Sequence, residues 1–84
     1  MFVESVIKSN YQQLTKSEKK VANYVLSHMD SMVNLTMSYI ARNVEVGEAT
    51  IVRFLNKCGF QTLHSLKYSI VKDLESARDN HTPV

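Results

Sequence analysis

Apolar residues recur along this chain at intervals of three and four, the spacing of one buried face on a helix. Val3, Val6, Ile7, Tyr11 and Leu14 make the first such face. Thr15-Lys16-Ser17-Glu18 follows. It predicts a capping box: the Thr15 hydroxyl accepts from the Glu18 amide, and the Glu18 carboxylate reaches back to the Thr15 amide. Behind it, Val21, Ala22, Val25, Leu26 and Met29 form a second face. Asp30-Ser31 breaks the pattern and leads into a short turn through Met32 and Val33. Thr36 is placed to cap a short helix from Met37 to about Asn43 that buries Ile40 and Ala41. Val44-Glu45-Val46-Gly47 predicts a turn, and Glu48 to about Cys58 a helix with Ile51, Phe54 and Leu55 inward. Gly59 stands where a left-handed C′ glycine closes a helix. A last helix runs from about Thr62 to Ala77 on Leu63, Leu66, Ile70 and Leu74, and the polar stretch Asn80 to Val84 predicts a frayed tail. No internal repeat or low-complexity stretch interrupts the pattern. The expected fold is all-α, a small five-helix bundle.

Composition agrees. The chain has 84 residues with 2 Gly and 1 Pro, too few punctuators for many tight hairpins. A chain this short buries only about 60% of its unfolded surface, which disfavours a deep catalytic cleft and favours a binding module. The single Cys58 cannot form an internal disulfide, and with three scattered His it lacks zinc-site spacing. No metal and no cofactor is expected, since the two glycines stand far apart and form no phosphate loop. No apolar run is long enough to span a membrane, and Glu4 interrupts what would be a signal-peptide core. A cytoplasmic protein is therefore expected. The net charge of +2 neither demands nor excludes nucleic acid.

Two short helices about a tight turn are the geometry of a DNA-binding helix-turn-helix. Ala41 supplies the small residue where the two helices meet, and Ile40, Val44, Val46, Ile51 and Phe54 fasten the motif to the bundle. Thr50, Arg53 and Lys57 share one face of the second helix and supply donors there.

At these residues the chain resembles the N-terminal domain of the RpiR family of bacterial transcriptional regulators. The matching stretches are Leu14 through Ala22, Leu35-Thr36 through Ile40-Ala41, Glu48-Ala49-Thr50-Ile51-Val52-Arg53-Phe54 and Cys58-Gly59-Phe60. The resemblance implies a homeodomain-like three-helical core over residues 1–77. Residues 78–84 would be a tail or the start of a linker to a sugar-isomerase-like (SIS) domain absent here. It implies binding to operators of sugar-catabolism genes, with a phosphosugar effector sensed only by the absent domain. The family's turn usually reads Gly-Val-Ser, where this chain has Glu45-Val46-Gly47. A Glu where Gly supplies positive φ costs roughly 1–2 kcal/mol unless the turn rearranges. Gly47 replaces the usual Ser cap.

Arg53 is the leading candidate for a base-edge or phosphate contact; its alternative is a surface arginine or an intrahelical pair with Glu48. Thr50 suits a phosphate, as do Lys57 and Lys67. Ser38 and Tyr39 open the first helix of the motif behind its cap Thr36, where amides favour a phosphate. Glu48 and Ala49 open the recognition helix and complete the DNA-contacting set. Arg42 fits a solvated face better. His28, His64 and His81 show no ligand spacing, Cys58 reads as a packed thiol, and Met29, Met32 and Met37 read as core fillers. Phe2, Val3, Val6 and Ile7 either pack on the core or pair two chains into a homodimer. Residues 48–72 carry +3, against +1 before them and −2 after, so the recognition helix and its successor form a basic segment. The expected function is sequence-specific binding of double-stranded operator DNA, without catalysis. The competing class is a helical protein-interaction or dimerisation module that does not bind DNA.

Overall fold

The computed structural model describes residues 2–80, with side chains over residues 2–76. Five α-helices follow in order: α1 (Phe2–Asn10), α2 (Lys16–Ser27), α3 (Met37–Val44), α4 (Glu48–Lys57) and α5 (Leu63–Asn80). Short 3-10 turns at Tyr11–Gln13 and Met32–Asn34 follow α1 and α2. No strand occurs among the described residues. The all-α expectation and the five helices are met.

The helix ends follow the local chemistry. The Thr15 capping box is complete: its hydroxyl accepts from the Glu18 amide at 3.2 Å, and its own amide donates to Glu18 Oε1 at 2.9 Å. The Thr36 hydroxyl accepts from the Tyr39 amide at 3.1 Å and caps α3. Gly59 adopts φ 87° after α4, the left-handed conformation predicted for it. The Phe60 amide then donates to the Leu55 carbonyl at 2.8 Å and the Gly59 amide to Asn56 at 3.1 Å. Those two bonds are a Schellman closure, and both Phe60 and Leu55 are buried beside it.

Two groupings share one core. Helices α2, α3 and α4 pack on one another as the three-helical unit, while α1 packs on α5 and α5 packs on α4 and the second 3-10 turn. Val21, Ala22, Val25, Ile40, Ile51, Phe54, Leu55, Leu66 and Ile70 all lie in the joint core, as their spacing predicted. Val3 and Ile7 are fully buried in it and Val6 is half-buried, so packing accounts for the apolar face of α1, leaving Phe2 60% exposed. Met32 is fully buried as a core filler.

One tie had no local signature. The Asp73 carboxylate of α5, itself buried, accepts from the Phe2 amide at 3.1 Å and the Val3 amide at 2.7 Å. It satisfies two of the amides a helix start leaves unpaired, and places negative charge at the positive end of α1. Helix α5 continues to Asn80, past the Ala77 end expected for it. The tail expected over residues 81–84, with His81, lies outside the described residues.

Candidate nucleic-acid interface

The α3–α4 turn keeps the geometry of a glycine-containing turn without the glycine. Glu45 sits at φ 64°, ψ 49°, fully left-handed, and the Val46 amide donates to the Ala41 carbonyl at 3.0 Å. The turn has not rearranged to relieve Glu45, so the local cost of roughly 1–2 kcal/mol stands. Gly47 is the N-cap of α4 at φ −76°, an ordinary conformation, and has no side chain to cap with. Above it the Ser38 hydroxyl donates to Glu48 Oε2 at 3.0 Å, joining the first turn of α3 to the first turn of α4. The structure therefore brings Thr36, Ser38, Tyr39, Glu48 and Ala49 together at one end of the motif, and all five are exposed.

Helix α4 has a sharply divided surface. Ile51, Phe54 and Leu55 are buried, followed by Cys58 at its cap. At about 100° per residue, the opposite side of the helix carries Ala49, Val52, Arg53 and Asn56, and all four are exposed. The face expected to point outward was Thr50, Arg53 and Lys57. The structure turns that face partly aside, towards α2: Thr50 is half-buried and Lys57 is held down.

What holds Lys57 is Glu18, a residue the sequence marked only as a capping partner. Its side chain is 1% exposed. Glu18 Oε1 accepts from the Thr15 amide and also from Lys57 Nζ at 2.7 Å. Lys57 Nζ donates to the Gln13 carbonyl as well, at 3.2 Å. Glu18 Oε2 faces Arg53 Nε at 3.6 Å, an ion pair too long for a hydrogen bond. Burial pushes the Glu18 carboxyl up, but the Lys57 ammonium, the Thr15 amide and the Arg53 guanidinium together outweigh it and hold it below the usual carboxylate value. The intrahelical pair with Glu48, one alternative for Arg53, does not form; the structure pairs Arg53 with Glu18, and its Nη2 donates to Thr50 Oγ1 at 3.3 Å. Its side chain remains 60% exposed. Nothing within a few residues of Glu18 announced this second role, because the two cations arrive from another helix.

The remaining candidates disperse. Lys67 lies on α5 in a separate cleft of about 330 Å³ with Val33, His64, Tyr68 and Val71. Lys72 Nζ sits 5.8 Å from the centre of the Tyr68 ring. The basic segment over residues 48–72 is thus continuous in sequence but is not one basic surface: two cations serve Glu18, and two lie along α5. Arg42 is exposed near the end of α3. His28 stacks on Tyr24 with ring centres 4.0 Å apart. Burial, with the Glu18 charge adding to it, pushes the Cys58 thiol up to about 11, so it stays protonated near neutrality. Among the described residues no group of three or more His, Cys, Asp or Glu is placed to hold a metal ion, and no helix is long and apolar enough to cross a membrane.

Comparison with known proteins agrees with the helix-turn-helix fold. The family model described as "Helix-turn-helix domain, rpiR family" matches residues 1–77. An HTH-type transcriptional regulator of Haemophilus influenzae is 42% identical over 74 residues, 88% of this chain and 25% of that protein. One of Clostridium perfringens is 37% identical over 65 residues, 77% of this chain and 23% of that protein. A bifunctional protein glk of Burkholderia mallei is 34% identical over 61 residues, 73% of this chain but 10% of that protein. The chain spans about a quarter of the length of the transcriptional regulators it matches.

Proposed function

We propose that this chain, which belongs to the rpiR family of helix-turn-helix domains, binds operator DNA sequence-specifically with α4 in the major groove. The observation that carries the reading is the outward face of α4. It is exposed along its length, carries Arg53, and stands beside the capped start of α3. A helix in the major groove reads base edges from such a face, while flanking hydroxyls and amides at a helix start meet phosphates. In this reading Arg53 leaves its long ion pair with Glu18 for a guanine edge or a phosphate. Thr50, Thr36, Ser38 and Tyr39 line the backbone, with Glu48 and Ala49 at the leading end of α4. Lys57 and Lys67 contribute less than their charge suggests, one being committed to Glu18 and the other lying in its own cleft.

The regulated genes are those of sugar or phosphosugar metabolism in the bacterial cytoplasm, and the chain itself performs no catalysis. The phosphosugar signal enters through an SIS domain elsewhere in the protein. A homodimer presents two copies of α4 about 34–36 Å apart, matching successive major grooves. The second reading, a helical interaction module without DNA, has one observation in its favour: Val33 and Tyr68 are exposed beside an apolar cleft.

Titration against a mixed pool of duplex DNA at low and moderate salt separates the two. Binding that weakens as salt rises is expected. Arg53→Ala should lose roughly tenfold in affinity and relax the sequence preference, within the range of about 1–3 kcal/mol for one good arginine–guanine contact. Absence of salt-dependent binding sinks the DNA reading. Sedimentation at micromolar concentration tests the dimer.

A further inference from the structure

From the outward arc of α4 we infer that this chain selects an A·T step in its operator, with Val52 against a thymine methyl and Asn56 on the adjacent adenine edge. The inference rests on the DNA reading above and names the bases it selects. Val52 is 41% exposed at the middle of an otherwise solvated face. A β-branched residue there gains nothing in helix propensity over Lys, Gln or Glu, and it is left part-exposed where Ile51, Phe54 and Leu55 are buried. Its γ-methyls are available to an apolar partner. In the major groove the one apolar group presented by a base is the thymine C5-methyl.

Asn56 lies one turn further along the same arc and is exposed. A carboxamide is the side chain that pairs twice with adenine, donating to N7 and accepting from the N6 amino group. The arc carries no acid, because Glu48 lies at its flank with its carboxylate on Ser38. Ala49, Val52, Arg53 and Asn56 follow the spacing i, i+3, i+4, i+7 with which a single helix reads one groove. Val52 and Asn56 are four residues apart, about 6 Å along the axis, so the two bases fall within about two base pairs of each other. Arg53, between them along the helix axis and at the edge of the arc, supplies the guanine contact next to this step.

Affinity selection from a randomised duplex pool, using the 84-residue chain and its Val52→Ala and Asn56→Ala variants, tests this. Both positions are exposed, and thermal melting of each variant checks that the fold is kept. The wild type should select a thymine and an adenine within about two base pairs. Replacing that thymine by deoxyuridine, which removes only the methyl, should weaken wild-type binding about fourfold, the worth of one buried methyl. Val52→Ala should bind the two duplexes equally. Asn56→Ala should lose about tenfold at the adenine while keeping the methyl dependence. If both variants select the wild-type sequence, or if deoxyuridine changes nothing, the inference is overturned while the DNA reading stands. If the wild type selects no sequence and shows no salt-dependent binding, both fall together.

Discussion

The two ends of α4 are built to different standards. At its C-terminal end, glycine stands where the backbone needs positive φ, a Schellman pair closes the carbonyls, and Phe60 and Leu55 bury the closure. Lys57 is tied there to a buried carboxylate and to a backbone carbonyl. At its N-terminal end the residues are exchanged. Glu45 occupies the left-handed position and Gly47 an ordinary one, with no side-chain cap. The side-chain tie across the turn there, Ser38 to Glu48, is exposed. The helix therefore has buried ties at its C-terminal end and only exposed ones at its N-terminal end.

The contrast can be broken from the C-terminal end first. Glu18→Ala strands Lys57, Arg53 and the Thr15 amide and should cost about 2 kcal/mol of unfolding free energy. That is below the figure for a fully buried pair because both cations are part-exposed. Chemical denaturation measures it. The same anchor gives a pH signature. Because the folded-state value of Glu18 is lowered, its contribution is full above about 4.5 and is lost as pH falls through the folded-state value below that. Glu18→Gln should flatten this acid limb. Gly59→Ala should cost about 1–2 kcal/mol through φ alone, since a Cβ there meets nothing within 4 Å. At the N-terminal end the signs reverse. Glu45→Gly should raise stability by about 1 kcal/mol. Gly47→Ser should raise it by a few tenths, because the site has room for a Cβ and lacks a cap. Melting temperatures that fall for both variants would remove the distinction between the ends.

Contacts within one helical turn were legible in the sequence. Thr15 and Glu18 lie three residues apart, and Gly59 directly follows its helix, so cap and closure could be read from spacing. The inward residues of α4 were equally plain from their period. Its outward face was harder. Thr50, Arg53 and Lys57 satisfy helical spacing, but which flank of that stripe meets α2 depends on how α4 is rotated against its neighbour. Glu18, 39 residues from Lys57 in sequence, marks the flank that meets α2. A charge sum over residues 48–72 likewise could not show that its cations point to different places. Partners brought together by packing leave no periodic trace, and both buried carboxylates are of that kind.

The Asp73 clasp makes the first amides of the chain informative about its last helix. Backbone N–H groups at positions 2 and 3 would ordinarily exchange with solvent within the fraying time of a helix end. Here each is bound to a carboxylate about seventy positions away, so its exchange is slowed only while α5 is docked on α1. The deuterium uptake of Val3 is thus a clock for the separation of the two terminal helices. It can be read without a label on α5.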